Sequence, residues 1–455
     1  MTAHEIARAV GGRVEGDPEV LLKGAQVDSR LVADNDLFVA LPGERHDGHE
    51  YVGAALNVAS AAMVKNDARL QPPPPQKSLV RVDHPLAAYH ELARHERRHR
   101  AWQIAAVTGS VGKTTTKDFL AAMVSTSWPT GFSTGNRNST LGLPAEILSQ
   151  DPEVEVFVAE AGMSKPGELR LLGEILRPEL VLYTRIAPVH VEYFPDLEGV
   201  VRAKAELMEW LDADGTLVIN ADDPNQRRFA DEVAARVVRY GTDDADGRIE
   251  TVVDRGLLGS AFRLVLPDGE ARVALGLAGL HQAENLLAAA TAASVFGVGV
   301  EQIAEVAAGL RAPVHRGRQL SIGNNITLVD DSYNSSPLAA RRMLELLAQV
   351  PGRRVAVLGE MYELGELSVE AHRQVGCGAA SSCDVLVAVG AADARTLMEA
   401  ARDHGMPRTS TFLVDSAERA TEVLETVLEP GDVVLLKGSR GVGLDRTVEA
   451  LGGDA

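Results

Sequence analysis

At 455 residues the chain is too long for one ordinary domain. Its charge, 45 basic against 64 acidic residues for a net −19, excludes nucleic acid and an anionic membrane as main partners. The two cysteines, Cys377 and Cys383, have neither disulfide-framework nor metal-ligand spacing and read as small core residues of a reducing compartment. The opening Met1-Thr-Ala-His-Glu-Ile lacks a basic region followed by an apolar run, and no apolar stretch approaches the ~18 residues of a membrane span. A soluble, cytoplasmic, monomeric protein is expected, with no membrane insertion.

Residues 1–98 read as a first domain: short strand-like segments, a proline interruption at Pro72 to Pro75, then a charged helix over Leu86–Arg100. A central domain, 99–311, opens on the apolar run Gln103-Ile-Ala-Ala-Val107, a buried strand. It breaks into Thr108-Gly-Ser-Val-Gly-Lys-Thr-Thr115, after which Phe119, Leu120 and Met123 recur at helical spacing. Strand, glycine loop and Lys-Thr at a helix start form the layout of a phosphate-binding loop. Gly109 and Gly112 let the backbone N–H groups of the loop, through Ser110 and Val111, turn towards an anion, and the helix N-terminus adds partial positive charge. Lys113 would reach the terminal phosphates, Thr114 a magnesium ion, and Thr115 completes the loop. A nucleoside triphosphate is the ligand this implies.

Further buried strands follow at Val154–Ala159, Leu180–Thr184 and Gly215–Asn220, then hairpin material over 249–275 and a helix over Ala283–Phe296. Ligands in such sheets sit beyond the carboxyl ends of the strands. Glu160 and His190 stand there, either as magnesium ligands or as a solvated strand end and an ordinary loop histidine. In the helix predicted over Gly199–Leu211, Lys204 falls inside the apolar stripe of Val200, Leu207, Met208 and Leu211, with Glu206 and Glu209 on the other face. Periodicity leaves two readings of Lys204: a lysine snorkelling to water, or one carbamylated by carbon dioxide into a carboxylate-like metal ligand.

A third domain, 312–455, alternates strands at Thr327–Asp330, Val355–Leu358, Val385–Ala388 and Val433–Leu436 with helices, a second doubly wound unit without a phosphate loop. Asp330-Asp-Ser-Tyr-Asn-Ser-Ser-Pro337 closes a strand and opens a helix, with Ser336 as cap and Pro337 in the first turn. Gly359-Glu-Met-Tyr-Glu-Leu-Gly-Glu366 is an acidic loop, fit for a cationic amine or simply solvated. His372 just beyond reads as a helix-surface histidine, with a catalytic base as the alternative. Lys437-Gly-Ser-Arg-Gly441 is a glycine loop with two cations, fit for a carboxylate or phosphate.

Together these segments resemble the Mur ligases over nearly the whole chain. Val27-Asp-Ser-Arg30, Leu37-Phe-Val-Ala-Leu41 and Gly43-Glu-Arg-His-Asp-Gly48 are similar to that family's UDP-binding domain. The resemblance implies that Ser29, Arg30, Asp47 and Gly48 contact the UDP substrate. Gly135-Asn-Arg-Asn-Ser-Thr-Leu-Gly-Leu-Pro144 resembles the asparagine-rich segment near the substrate phosphates, implicating Asn136 and Asn138. Ala203-Lys-Ala-Glu-Leu207 resembles the segment of the carbamylated lysine, which chooses that reading for Lys204, beside Glu160 and His190 on magnesium. Gly279-Leu-His-Gln-Ala-Glu-Asn285 resembles the adenine-contacting stretch and places Asn285 at the base. By the same resemblance Arg318 meets the terminal phosphate, Asp331 the ribose, and Tyr333, Asn334 and Lys437 the substrates. The sequence departs from the family at Ser139, Ser335-Ser336 and Glu360, which touches detail of substrate contacts and not class.

The fold implied is α/β in three domains: a small mixed one, a central P-loop one and a C-terminal Rossmann-like one. The activity implied is ATP- and magnesium-dependent amide ligation. ATP would phosphorylate the carboxylate of UDP-N-acetylmuramoyl-tripeptide, and the amine of D-alanyl-D-alanine would displace phosphate from the acyl phosphate. Folylpolyglutamate synthetase or another Mur ligase is the enzymatic rival, and a non-catalytic nucleotide switch the rival of another class. The first domain, with Asp28-Ser-Arg30, speaks against folylpolyglutamate synthetase.

Overall fold

The computed structural model describes residues 1–43, 46–187, 191–194, 196–242 and 245–452. These fold into three sheets. In the first, β1 (Arg13–Gly16), β2 (Gly24–Gln26), β3 (Asp36–Val39), β4 (Ala61–Lys65) and β5 (Ser78–Val82) lie in the order β1-β5-β4-β3-β2, all parallel except β1. β3 is buried along its length because sheet neighbours and helices cover both faces. The helix Pro85–His99 then leaves the first sheet and also serves the next. Tyr89 and Leu92 join the first core and Ala93 the central one, while Arg97 donates to the carbonyls of Leu176 (2.7 Å) and Trp102 (3.2 Å).

The central sheet contains β6 (Gln103–Thr108), β7 (Thr130–Phe132), β8 (Val156–Glu160), β9 (Leu180–Tyr183), β10 (Thr216–Asn220), β11 (Arg236–Gly241), β12 (Gly247–Asp254), β13 (Ser260–Leu266) and β14 (Gly269–Leu275). Their order is β14-β13-β12-β11-β10-β9-β6-β8-β7, parallel from β7 to β12. The period of two along β6 divides two cores: Ala105 and Val107 face the helices Lys113–Val124 and Leu280–Val295, and Ile104 and Ala106 face the opposite layer. β6 lies between β8 and β9, where the strand order reverses, so its carboxyl end opens on the crevice where ligands bind in such sheets. The hairpin material expected over 249–275 forms two successive antiparallel pairings, β12 with β13 and β13 with β14, which continue the edge of the same sheet.

One expectation about a helix fails instructively. The segment predicted over Gly199–Leu211 is α-helical only over Leu197–Ala205 and tightens to a 3₁₀ turn over Glu206–Trp210. Glu206, expected on the polar face, is buried. Its carboxylate accepts from Gly167 N (2.9 and 3.0 Å) and Arg170 N (3.3 Å), capping the helix Glu168–Leu176.

In the third sheet, β15 (Arg318–Ser321), β16 (Thr327–Asp331), β17 (Arg354–Gly359), β18 (Val385–Val389), β19 (Thr411–Val414) and β20 (Val433–Lys437) take the order β15-β16-β20-β17-β18-β19, with β15 alone antiparallel. Among the described residues no helix is long and apolar enough to cross a membrane.

Candidate active site

β6 delivers Thr108 into a loop whose two glycines are obligatory. Gly109 has φ +144° and a Cβ there would collide with Thr184 Oγ1; Gly112 has φ +89° and a Cβ would strike Asn285 Oδ1. The loop is held from below: Ser110 N donates to Arg185 O (2.8 Å) and Ser110 Oγ to Ala187 O (2.8 Å). Lys113, first residue of its helix, curls back with Nζ 3.4 Å from Ser110 O. Burial pushes its ammonium pKa down, and nearby Glu160 opposes that. Ser110 to Thr115 line a cleft of about 520 Å³ together with Asn136, Asn138 and Glu160.

Glu160, at the end of β8, is 2% exposed. Its Oε1 accepts from Asn138 Nδ2 (2.7 Å), whereas its buried Oε2 has no hydrogen-bond partner. A buried unpaired carboxylate oxygen costs on the order of 1–3 kcal/mol, so this atom calls for a ligand, and a hard cation suits it. The described residues contain no group of three or more His, Cys, Asp or Glu able to cage a metal. A magnesium ion here would take Glu160 and Thr114. Lys204, 2% exposed, donates from Nζ to Gly109 O (2.9 Å), so the helix Leu197–Ala205 brings it directly under the loop. Burial holds its pKa well below that of an ordinary lysine. It does not snorkel. His190 lies outside the described residues.

The opposite wall comes from the third sheet. Asp331, at the end of β16, pairs with Lys437 at the end of β20 (2.6 Å), and Lys437 also donates to Asn334 O (3.0 Å). Tyr333, Asn334, Tyr362, Glu363 and Arg440 complete that wall, while Asn285 and His281 face it from the central domain. Burial pushes the His281 imidazole down to about 4, so it is neutral at physiological pH.

Several expected residues are placed differently. Arg318 opens β15 and is not among the cleft-lining residues, whereas Arg316, two positions earlier, lines the cleft along with Arg185, Arg342 and Arg440. His315 has φ +60° and its Nδ1 lies 2.8 Å from Asp330 Oδ2, which turns the chain so that Arg316 enters the cleft. Arg316→Ala should lower kcat about 10²-fold, and Arg318→Ala less than about 3-fold, by steady-state kinetics; the reverse order would return the role to Arg318. Arg316 had a sequence signal, the repeat in His315-Arg-Gly-Arg318, which spacing alone does not decode.

In the acidic loop, Glu360 is a structural cap: its Oε1 accepts from Ala391 N (2.8 Å), Asp393 N (3.2 Å) and Ala394 N (3.3 Å). His372 is fully buried rather than on the helix surface, and both ring nitrogens are used, Nε2 accepting from Met361 N (2.8 Å) and Nδ1 facing Ser368 O (2.8 Å). That excludes it as a base in this arrangement. In the first domain Arg30 is held by Asp28 (Nε 2.9 Å, Nη2 2.6 Å), which draws the Asp28 carboxyl down to about 2. Ser29 lies between them. Asp47 caps the turn Gly48–Tyr51 and lines a second hollow of about 620 Å³ with His49, Lys65 and Arg69. Neither Ser29, Arg30 nor Gly48 lines the main cleft.

A glycine cradle, a buried carboxylate and basic groups converging from a second doubly wound sheet define a nucleotide-dependent enzyme acting between domains. Family comparison agrees: residues 107–293 match the Mur ligase middle domain and residues 315–440 the Mur ligase glutamate ligase domain. The chain belongs to the Mur ligase family. It is 30% identical over 463 residues to the UDP-N-acetylmuramoyl-tripeptide–D-alanyl-D-alanine ligase of Bacillus subtilis, covering 99% of this chain and 98% of that one. Among solved structures, MurF from Acinetobacter baumannii superposes with a TM-score of 0.87 at 26% identity, covering 99% of this chain and 98% of that one. MurF from Thermotoga maritima, in complex with ADP, superposes with a TM-score of 0.80 at 26% identity, covering 95% and 98%.

Proposed function

We propose that the chain uses ATP to join D-alanyl-D-alanine to the terminal carboxylate of UDP-N-acetylmuramoyl-tripeptide in peptidoglycan precursor synthesis. The observation that carries this reading is the cleft itself, where Lys113 and Glu160 face Arg316, Asp331 and Lys437 in a chain that matches D-alanyl-D-alanine ligases end to end. Residues 1–98 would hold the UDP end through Ser29, Arg30, Asp47 and Gly48, residues 99–311 ATP, and residues 312–455 the amine. Asn136 and Asn138 face the phosphates, Asn285 the adenine and Asp331 the ribose.

The peptide carboxylate attacks the γ-phosphorus of ATP, giving an acyl phosphate and ADP. The amine of the dipeptide then attacks the acyl carbon, and phosphate leaves from the tetrahedral intermediate. Phosphorylation is needed because an oxide is a poor leaving group. Lys113 and Arg316 neutralise charge as it moves between the transferred phosphoryl oxygens. Magnesium, when held by Glu160 and Thr114, with His190 and a carbamylated Lys204 as the further ligands proposed, supplies Lewis-acid neutralisation of the phosphates. Carbamylation needs an unprotonated amine, and burial of Lys204 favours that form. Most of the catalysis is then orientation across the cleft and exclusion of water.

The test is ligation of D-alanyl-D-alanine to UDP-N-acetylmuramoyl-tripeptides ending in diaminopimelate or lysine, read by mass spectrometry with ADP and phosphate counted. One ADP per amide bond is expected. Preferential use of a single L-amino acid or glutamate would move the chain to another activity, and ATP hydrolysis without either acceptor would point to a switch. Glu363, on the third-domain wall with φ +64°, is the carboxylate proposed to face the incoming ammonium. Glu363→Ala should raise the KM for the dipeptide about 10-fold with little change in the KM for ATP.

A further inference from the structure

Two arginines share one aromatic ring in the cleft. The Arg316 guanidinium carbon is 4.1 Å from the Tyr333 ring centroid, and that of Arg440, in the turn Arg440–Val442 after β20, is 5.2 Å from the same centroid. Cation–π contact holds each guanidinium, and it sets two positive charges side by side in the cleft where anions can meet them. Their surroundings differ. Arg316 acts electrostatically on Lys113 and Asp118, on the phosphate side.

Arg440 belongs to the third-domain wall. Ser439 beside it donates its N–H to Glu360 O (3.0 Å) and accepts from Tyr362 N at its Oγ (2.9 Å). Gly441 lets the Tyr362 ring come close, since a Cβ there would stand 2.8 Å from it. The turn carrying Arg440 is thereby bolted to the loop carrying Tyr362 and Glu363. Of the two cations in Lys437-Gly-Ser-Arg-Gly441, Lys437 is taken by Asp331 and Asn334, and Arg440 presents its guanidinium, the more exposed of the two, to the cleft. One guanidinium, one carboxylate and two phenol rings on a single wall match a small zwitterion.

We propose that Arg440, braced on Tyr333, recognises the free carboxylate of the amine substrate and so selects a dipeptide acid over its neutral analogues. This rests on the ligase reading above. The carboxylate keeps its charge throughout the reaction, whereas the ammonium must lose its own, so only the carboxylate offers a lasting handle. A planar guanidinium binds it through two parallel N–H donors, a geometry that lysine lacks.

The experiment compares D-alanyl-D-alanine with its C-terminal amide in the full-length enzyme, as wild type, Arg440→Gln, Arg440→Lys and Tyr333→Leu. Wild type should prefer the acid roughly 10- to 100-fold in kcat/KM. Arg440→Gln should reduce that preference to within about 3-fold, through a raised KM for the acid, while the constants for the amide and the KM for ATP stay put. Arg440→Lys and Tyr333→Leu should keep only part of it. Unchanged constants for the amide also show that the variant is folded. Full discrimination by Arg440→Gln, or an effect confined to the KM for ATP, overturns the proposal and leaves the ligase reading standing. Failure of the wild type to ligate either amine defeats the ligase reading, and this inference with it.

Discussion

Lys113→Ala should lower the rate of ligation by about 10³-fold or more while thermal unfolding stays close to that of the parent. The side chain makes little structural contribution: its Nζ has one long contact, 3.4 Å to Ser110 O. The loop geometry is set instead by Gly109, Gly112 and the Ser110 contacts to Arg185 and Ala187, which the substitution leaves intact. What is lost is a cation at the start of the helix, half-buried where phosphate oxygens gather charge in the transition state. Water screens little there, so its removal should appear mainly in kcat. Near-parental turnover in single-turnover assays would show that this loop does not hold the reacting phosphates.

Lys204→Ala is expected to be nearly as severe, about 10²- to 10³-fold in kcat, for a different reason. Lys204 is buried against the underside of the same loop, donating to Gly109 O, and its own carbonyl accepts from Tyr183 Oη (2.6 Å). Its depressed pKa leaves more of the amine unprotonated, able to form an N–C bond to carbon dioxide with release of a proton. The product is an anion in the neighbourhood of Glu160, Lys113 and the phosphates. Alanine leaves a space the length of that side chain, which formate or acetate can enter, so partial rescue at tens of millimolar is the expected signature. A purely structural lysine would not be rescued. Labelled carbon dioxide should give a carbamate signal by carbon NMR in wild type that the variant lacks; rescue absent and no such signal would remove carbamylation from the mechanism.

The phosphate cradle was legible because its chemistry is local. Consecutive residues 108 to 115 form strand, turn and helix start within one stretch of backbone, and the glycines needed at positive φ are visible as letters. The buried parallel strands were legible for a similar reason, as continuous apolar runs covered on both faces. Lys204 could be read as buried from its stripe, although its direction, up against Gly109, could not. Glu206, His372 and Glu360 were misread because a polar residue at a helix or strand end looks the same whether water or another element's backbone satisfies it. In each case the partner, Gly167, Met361 or Ala391, comes from a different element.

The choice of Arg316 over Arg318 belongs to the same category. Both stand in one short basic segment, and the backbone between them, with His315 and Gly317 at positive φ and His315 held by Asp330, is set by tertiary contacts that the letters do not show. The amino-acid sequence by itself determined the nucleotide cradle, the two doubly wound units and the family, since these rest on periodicity, turn chemistry and motif order along the chain. Tertiary structure decided the wall opposite the cradle. Tyr333, Tyr362, Arg440 and Lys437 reach it from three separate strand ends of the third sheet. Their convergence depends on strand order and on how two sheets dock, which are sums over many distant contacts that no local pattern encodes.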